Sequence, residues 1–155
     1  MPSPFDQSSY QVRLDWGLAG LERLADSDVV VIVDVLHFSS HLADAVADGA
    51  RIDLAESDAW SSDSVAPALA VTASASGATV LVGGIRNASA VARTVQMIQE
   101  DRGARTSVAL IAAGERDGAN EVRFAVEDQL GAGAIVAALT DLGIDHTAPD
   151  AAVAS

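Results

Sequence analysis

The chain has 155 residues, half of them hydrophobic and only 4% aromatic, so its core must be built from Ala, Val, Leu and Ile. One domain is the expectation at this length, with enough surface to bury that no disulfide is needed. Cysteine is absent, which excludes thiol catalysis and Cys-ligated zinc. Nine basic residues, all Arg, face 22 acidic ones for a net charge of −13. The lack of lysine excludes P-loop, Schiff-base and general-base lysines. The acidity argues against nucleic-acid or anionic-membrane partners, because counterion release needs a basic surface.

A mean hydropathy of +0.27 argues against disorder. No apolar run reaches the roughly 18–20 residues of a membrane-spanning helix. Residues 1–16 lack a charged segment followed by an apolar one, so no signal peptide is expected and a cytoplasmic location is the default.

Residues 11–16 alternate as an edge strand, and 18–26 carry apolar residues at helical spacing. Residues 29–36, VVVIVDVL, form a continuous apolar run broken by Asp34. Such a run reads as a strand buried on both faces, as in a parallel sheet. Ser39 and Ser40 offer N-cap chemistry for a helix over 40–48, closed by Gly49. Residues 51–55 read as a short strand and 56–65 as a polar loop. A helix is expected over 66–76, a buried strand over 79–83, and a helix over 88–101 capped by Asn87 or Ser89. Residues 107–112 read as another buried strand and 113–124 as a loop, followed by a helix over 125–142; the tail carries no clear pattern. Strands alternating with helices define an α/β fold, a three-layer sandwich with a mostly parallel central sheet.

In such a sheet ligands bind outside the carboxyl ends of the strands. Three strand ends are polar: Asp34, His37, Ser39 and Ser40; then Arg86, Asn87 and Ser89 behind two glycines; then Glu115 and Arg116. In a parallel sheet they share one rim. A carboxylate inside an apolar strand is costly unless paired or bound to a cation. Asp34 is therefore either a cap or a metal or catalytic group. His37 and His41 share a helix face as a two-histidine pair without a third ligand, or are plain loop or surface histidines. Arg86 and Arg116 suit a phosphate or carboxylate, or pair with nearby acids. Glu127 and Asp128 open the last helix, either favouring its dipole or completing a metal site with Asp34 and Glu115. Gly131 and Gly133 imply close packing of that helix, against a neighbouring element or a second subunit.

The ordered segments VVVIVDVL with Ser39-Ser40, LADAVADGA, VLVGGIRNASAVA and IAAGERDG…FAVEDQLGAGAIVAAL resemble the 2-phosphosulfolactate phosphatase (ComB-like) family. The resemblance implies an α/β fold and an Mg²⁺-dependent hydrolase of a small acidic phosphoester, acting as a homodimer. Asp34 with Glu115, Glu127 or Asp128 would hold the metal. Ser39, Ser40, Asn87, Ser89 and Arg116 would bind substrate, with Arg86, which the family pattern does not obviously carry, as a further anion-binding group; a separate reading is a hydrolase of changed specificity in which His37 serves as acid or base. The sequence departs from the family in two ways. His37 and Phe38 stand where relatives read Arg-Ala, and the Gly/Asn-rich middle section is shortened to the Ala-rich stretch 66–76. Losing that arginine removes a charge-assisted contact of about 1.5–3 kcal/mol. The alternative is therefore a catalytically degenerate homologue serving as a ligand-binding or assembly module.

Overall fold

A computed structural model describes residues 3–54, 64–117 and 121–155. Four parallel strands form the central sheet in the order β1-β4-β2-β3: β1 (Val12–Trp16), β2 (Val29–Val33), β3 (Thr79–Gly83) and β4 (Val108–Ala112). All pairs are in parallel register, with Val29 beside both Thr79 and Val108. The two central strands are buried at every position, as a strand covered on both faces requires.

Alternate residues of each strand feed opposite layers. Val29, Val31 and Val33 with Leu110 pack under α4 (Ala88–Arg102), α5 (Val126–Asp141) and α6 (Pro149–Ala154). Val30, Ile32 and Ile111 pack under α1 (Gly17–Arg23), α2 (Ser40–Ala47) and α3 (Ala66–Ala75). The result is the three-layer α/β architecture expected from the sequence. No helix among the described residues is long and apolar enough to cross a membrane.

Several local expectations are corrected. The apolar run ends as a strand at Val33, because Asp34 leaves the ladder and starts a π-helical turn, Val35–Ser39. No strand forms over 51–54; Ile52 and Leu54 instead pack half-buried against the layer that holds Val80 and Val82. Residue 55 and most of the expected 56–65 loop lie outside the described residues. The 113–124 loop contains a small antiparallel hairpin, β5 (Glu115–Arg116) with β6 (Val122–Arg123), and the tail contains α6. The two glycines of α5 are used inside the chain. A Cβ on Gly131 would lie 2.7 Å from Val35 Cγ2, and one on Gly133 would lie 1.8 Å from the Ala154 carbonyl oxygen. The close packing of these two glycines runs to β2's exit and to α6.

The outer strand β1 is tied by groups with no sequence signature. Arg13 is buried, and its guanidinium donates to the carbonyls of Ser8, Tyr10, Ala25 and Asp26 and to the Ser27 hydroxyl. On the open edge of β1, Val12 exchanges hydrogen bonds with His146 and Ala148. The next outward-facing residue, Leu14, is met by the side-chain amide of Gln7: its N–H donates to Gln7 Oε1 (3.1 Å) and its carbonyl accepts from Gln7 Nε2 (3.0 Å).

Candidate active site

Because all four strands are parallel, their carboxyl ends share one edge. The chain leaving β2 turns to the α1–α3 layer, whereas the chain leaving β4 passes through the β5–β6 hairpin to α5 in the opposite layer. Neighbouring strands whose continuations part in this way leave a crevice between them, the usual ligand position in an open α/β sheet. The loops after β2, β3 and β4 meet here, as expected: a Cβ on Gly84, just past β3, would lie 3.6 Å from Ser39 Cβ.

Asp34 sits at the mouth of this crevice and is 2% exposed. Its carbonyl accepts from the N–H groups of Phe38 (3.1 Å) and Ser39 (2.6 Å), which closes the wide π turn. The turn crosses the end of the sheet, with Val35 in the α4–α6 layer and Phe38 in the other. The Asp34 carboxylate is shared. Oδ1 accepts from the His37 backbone N–H (3.2 Å) and lies 3.5 Å from His37 Nδ1. Oδ2 accepts from the Ser64 hydroxyl. Ser64 in turn accepts the Ala66 N–H (2.9 Å), so the start of α3 is pinned to the carboxylate.

Asp128 approaches from the opposite layer, also 2% exposed. Its Oδ1 accepts from Val35 N–H (2.8 Å) and its Oδ2 from Gly114 N–H (2.9 Å). One carboxylate thus joins the chain just past β2 to the chain just past β4. Burial pushes its carboxyl up to about 6; the two amide bonds oppose this, and the negative charges of Asp34 and Glu127 add to it. Neither buried carboxylate has an Arg partner within 4.0 Å among the described residues.

The other expected site residues divide. Ser39 is buried, and its hydroxyl accepts the Asp34 N–H (2.9 Å) instead of capping α2. Asn87 occupies the position before α4 without capping it; Oδ1 accepts Gly84 N–H and Nδ2 donates to Val82 O, so it braces its own loop. Arg86 is exposed and ion-paired with Asp44 of α2. Ser40 is half-buried, and Ser89, His41, Glu115 and Arg116 are exposed. Glu127 is half-buried beside Asp128. Among the described residues no three acidic or histidine side chains gather into one metal-binding group. Asp34 and Asp128 are brought together, and Glu115 stands apart on the hairpin. Ser64 is the participant the sequence reading missed. Its sole local signal is an Ser two residues before the helix it helps to start.

An all-parallel four-stranded sheet between two helical layers, with two buried carboxylates at its carboxyl edge, defines a three-layer α/β protein. The 2-phosphosulpholactate phosphatase family matches residues 64–155, from the serine on Asp34 to the last residue, and the chain belongs to that family. The matched span holds Arg86, Asn87, Ser89, Glu115, Arg116, Glu127 and Asp128; Asp34, His37, Ser39 and Ser40 precede it. No curated protein and no solved structure matches the chain.

Proposed function

We propose that the protein is an Mg²⁺-dependent phosphatase of the 2-phosphosulpholactate phosphatase type, acting on a small acidic phosphoester at the crevice between the ends of β2 and β4. The observation that carries this reading is the pair of buried carboxylates there, neither of which has an arginine within 4.0 Å among the described residues. An all-oxygen donor set suits Mg²⁺, which takes one or two carboxylates and fills its remaining positions with water and phosphate oxygens. Asp34 would hold the ion, with Asp128 as the second carboxylate. When bound, the ion supplies positive charge against the phosphoryl oxygens.

The chain's own residues do the rest. Asp128 keeps the chain past β2 and the chain past β4 at a fixed spacing. The N–H groups of the first turn of α4, which no side chain caps, would offer donors to the phosphate. Arg86 adds a bidentate contact once it leaves Asp44. The half-exposed His37 ring beside Asp34 holds the proton that the leaving alkoxide needs. We take the enzyme to act as a cytoplasmic homodimer, which light scattering checks.

The test is phosphate release from a panel of small phosphomonoesters, with Mg²⁺ and with chelator, for the wild type, Asp34→Asn and Asp34→Ala. Release that depends on Mg²⁺ and drops at least about 100-fold in both variants is expected, a loss of roughly 2.7 kcal/mol of transition-state stabilisation. No release above the variants would remove the enzymatic reading. A non-catalytic binding module is then favoured by one specific observation: Arg86, Asn87 and Ser39 are all engaged within the protein. That reading expects thermal stabilisation by phosphate without turnover.

A further inference from the structure

The two borders of the sheet are finished differently. β1 is closed by backbone groups of His146 and Ala148 and by the Gln7 amide. β3 forms the other border, and β2 is its one neighbour in the sheet. Thr79 N–H donates to the Asp28 carbonyl just before β2 (2.9 Å), so Thr79, Leu81 and Gly83 turn their backbone groups inward. Alternate residues of a strand bond to opposite sides, which points the N–H and C=O of Val80 and Val82 outward. There the Val82 carbonyl accepts from Asn87 Nδ2 (3.0 Å). Among the described residues nothing meets the Val80 N–H, the Val80 carbonyl or the Val82 N–H.

Such an edge is a template for another strand, and chains ordinarily blunt it with charge, proline or a bulge. β3, TVLVG, has no charge and no proline, and its register on β2 runs without a bulge. The helices packed on its two faces extend this character. Val71 on α3 is 55% exposed and Met97 on α4 is 62% exposed. Ile98 of α4 reaches Thr79, and Thr94 and Ala90 continue the same side one and two turns earlier. Charge returns at the far end of α4, with Asp101 and the Arg102–Asp28 pair.

Charge also decides what can fill the border. At −13, two copies of the chain repel each other across most of their surface. Residues 64–85, which make α3 and β3, contain no Asp, Glu, Lys, Arg or His, although a fifth of the chain is charged. Two copies therefore approach with least repulsion here. The border is self-complementary as well. An antiparallel two-fold sets Leu81 opposite its own counterpart and Val80 opposite Val82 of the second copy, so that open donors meet acceptors. The Val82 carbonyl has a second lone pair for this beside Asn87.

We propose that β3 pairs antiparallel with β3 of a second copy, joining two four-stranded sheets into one. The closed β1 borders then stand at both ends, and the assembly stops at two chains. This assigns the dimer its surface and does not rest on the phosphatase reading. The chain has no cysteine, so a single introduced one reports on one contact. Across the two-fold the Leu81 Cα atoms lie about 4.5 Å apart, inside the roughly 4.4–6.8 Å span of a disulfide. Under mild oxidant, Leu81→Cys is expected to form a covalent dimer at least tenfold faster than Val153→Cys, whose site is 83% exposed on α6. Val80→Pro removes an N–H with no partner inside the chain. It is expected to weaken association at least tenfold in sedimentation equilibrium while keeping the wild-type circular dichroism. A wild type that sediments as a single chain up to millimolar concentration overturns the proposal and leaves the border to a strand of another protein. So does a dimer in which Leu81→Cys crosslinks no faster than Val153→Cys, which puts the contact on a different face. Phosphate release is measured on the same wild-type samples: a paired dimer that releases none fails the phosphatase reading alone, and release by an unpaired chain fails the pairing alone.

Discussion

Asp128 shows how much one carboxylate can organise. Because its folded pKa is raised to about 6, the unfolded chain gives up this proton first as pH rises. The group's contribution to stability therefore falls between about pH 4 and pH 6 and is level above that, a change of about 3 kcal/mol for a shift of about two units. Asn at this position cannot titrate, and its NH₂ faces one of the two amides, at a cost of about 1–3 kcal/mol. Urea unfolding in chelator is expected to show Asp128→Asn less stable than wild type at pH 4, with the gap narrowing towards pH 6. A gap independent of pH would mean that the carboxyl titrates normally. Asp34 was legible in the sequence because a charge inside an apolar run stands out. Asp128 was legible in part, as one of two acids in a helix's first turn that either favour the dipole or complete a metal site; its real partners, Val35 and Gly114, lie in other segments and left no local signal. Arg13, Gln7 and Ser64 escaped for the same reason. Each bonds backbone or side-chain groups that only the fold brings near.

At the scale of elements, hydrophobic periodicity placed the four parallel strands and the main helices, because burial on one or both faces writes a period of 2 or a continuous run into the chain. It failed where hydrogen bonding and not burial decides. The π turn follows from Asp34's carbonyl receiving two N–H groups, and the hairpin is too short to show a pattern. The segment 51–54 has strand-like alternation but finds no ladder. The glycines of α5 separate two kinds of close contact. Ala at either position gains about 1 kcal/mol of helix propensity. At Gly131 the new methyl meets Val35 and Val33 side chains at 2.7 and 3.0 Å, stiff β-branched groups beneath the site. Overpacking there costs about 1–3 kcal/mol, so a net loss of stability is expected by thermal unfolding. At Gly133 the obstacle is the backbone of α6's last turn. Gly133→Ala is therefore expected to release α6, seen as faster amide exchange over 149–154 with the sheet's protection intact.

For the whole molecule, a formal charge of −13 makes self-repulsion a standing load on the folded state. Raising salt from about 0.01 M to about 1 M shortens the screening length from about 30 Å to about 3 Å. Tm in sodium chloride is expected to rise across this range, and an unchanged Tm would mean that the charges are spaced too widely to matter. Sequence composition announced this load but not how the sheet's border is finished. There the Gln7 amide acts as a one-residue counterfeit strand, supplying one donor and one acceptor where another chain would otherwise dock. An unfinished border is a template for polymer growth. Gln7→Ala strips the counterfeit from Leu14 while leaving the core and the crevice untouched. The variant is expected to fold, yet to form thioflavin-positive fibrils from seeds that the wild type ignores. Gln7 would then be the device that keeps this sheet's open border from becoming the first layer of a filament.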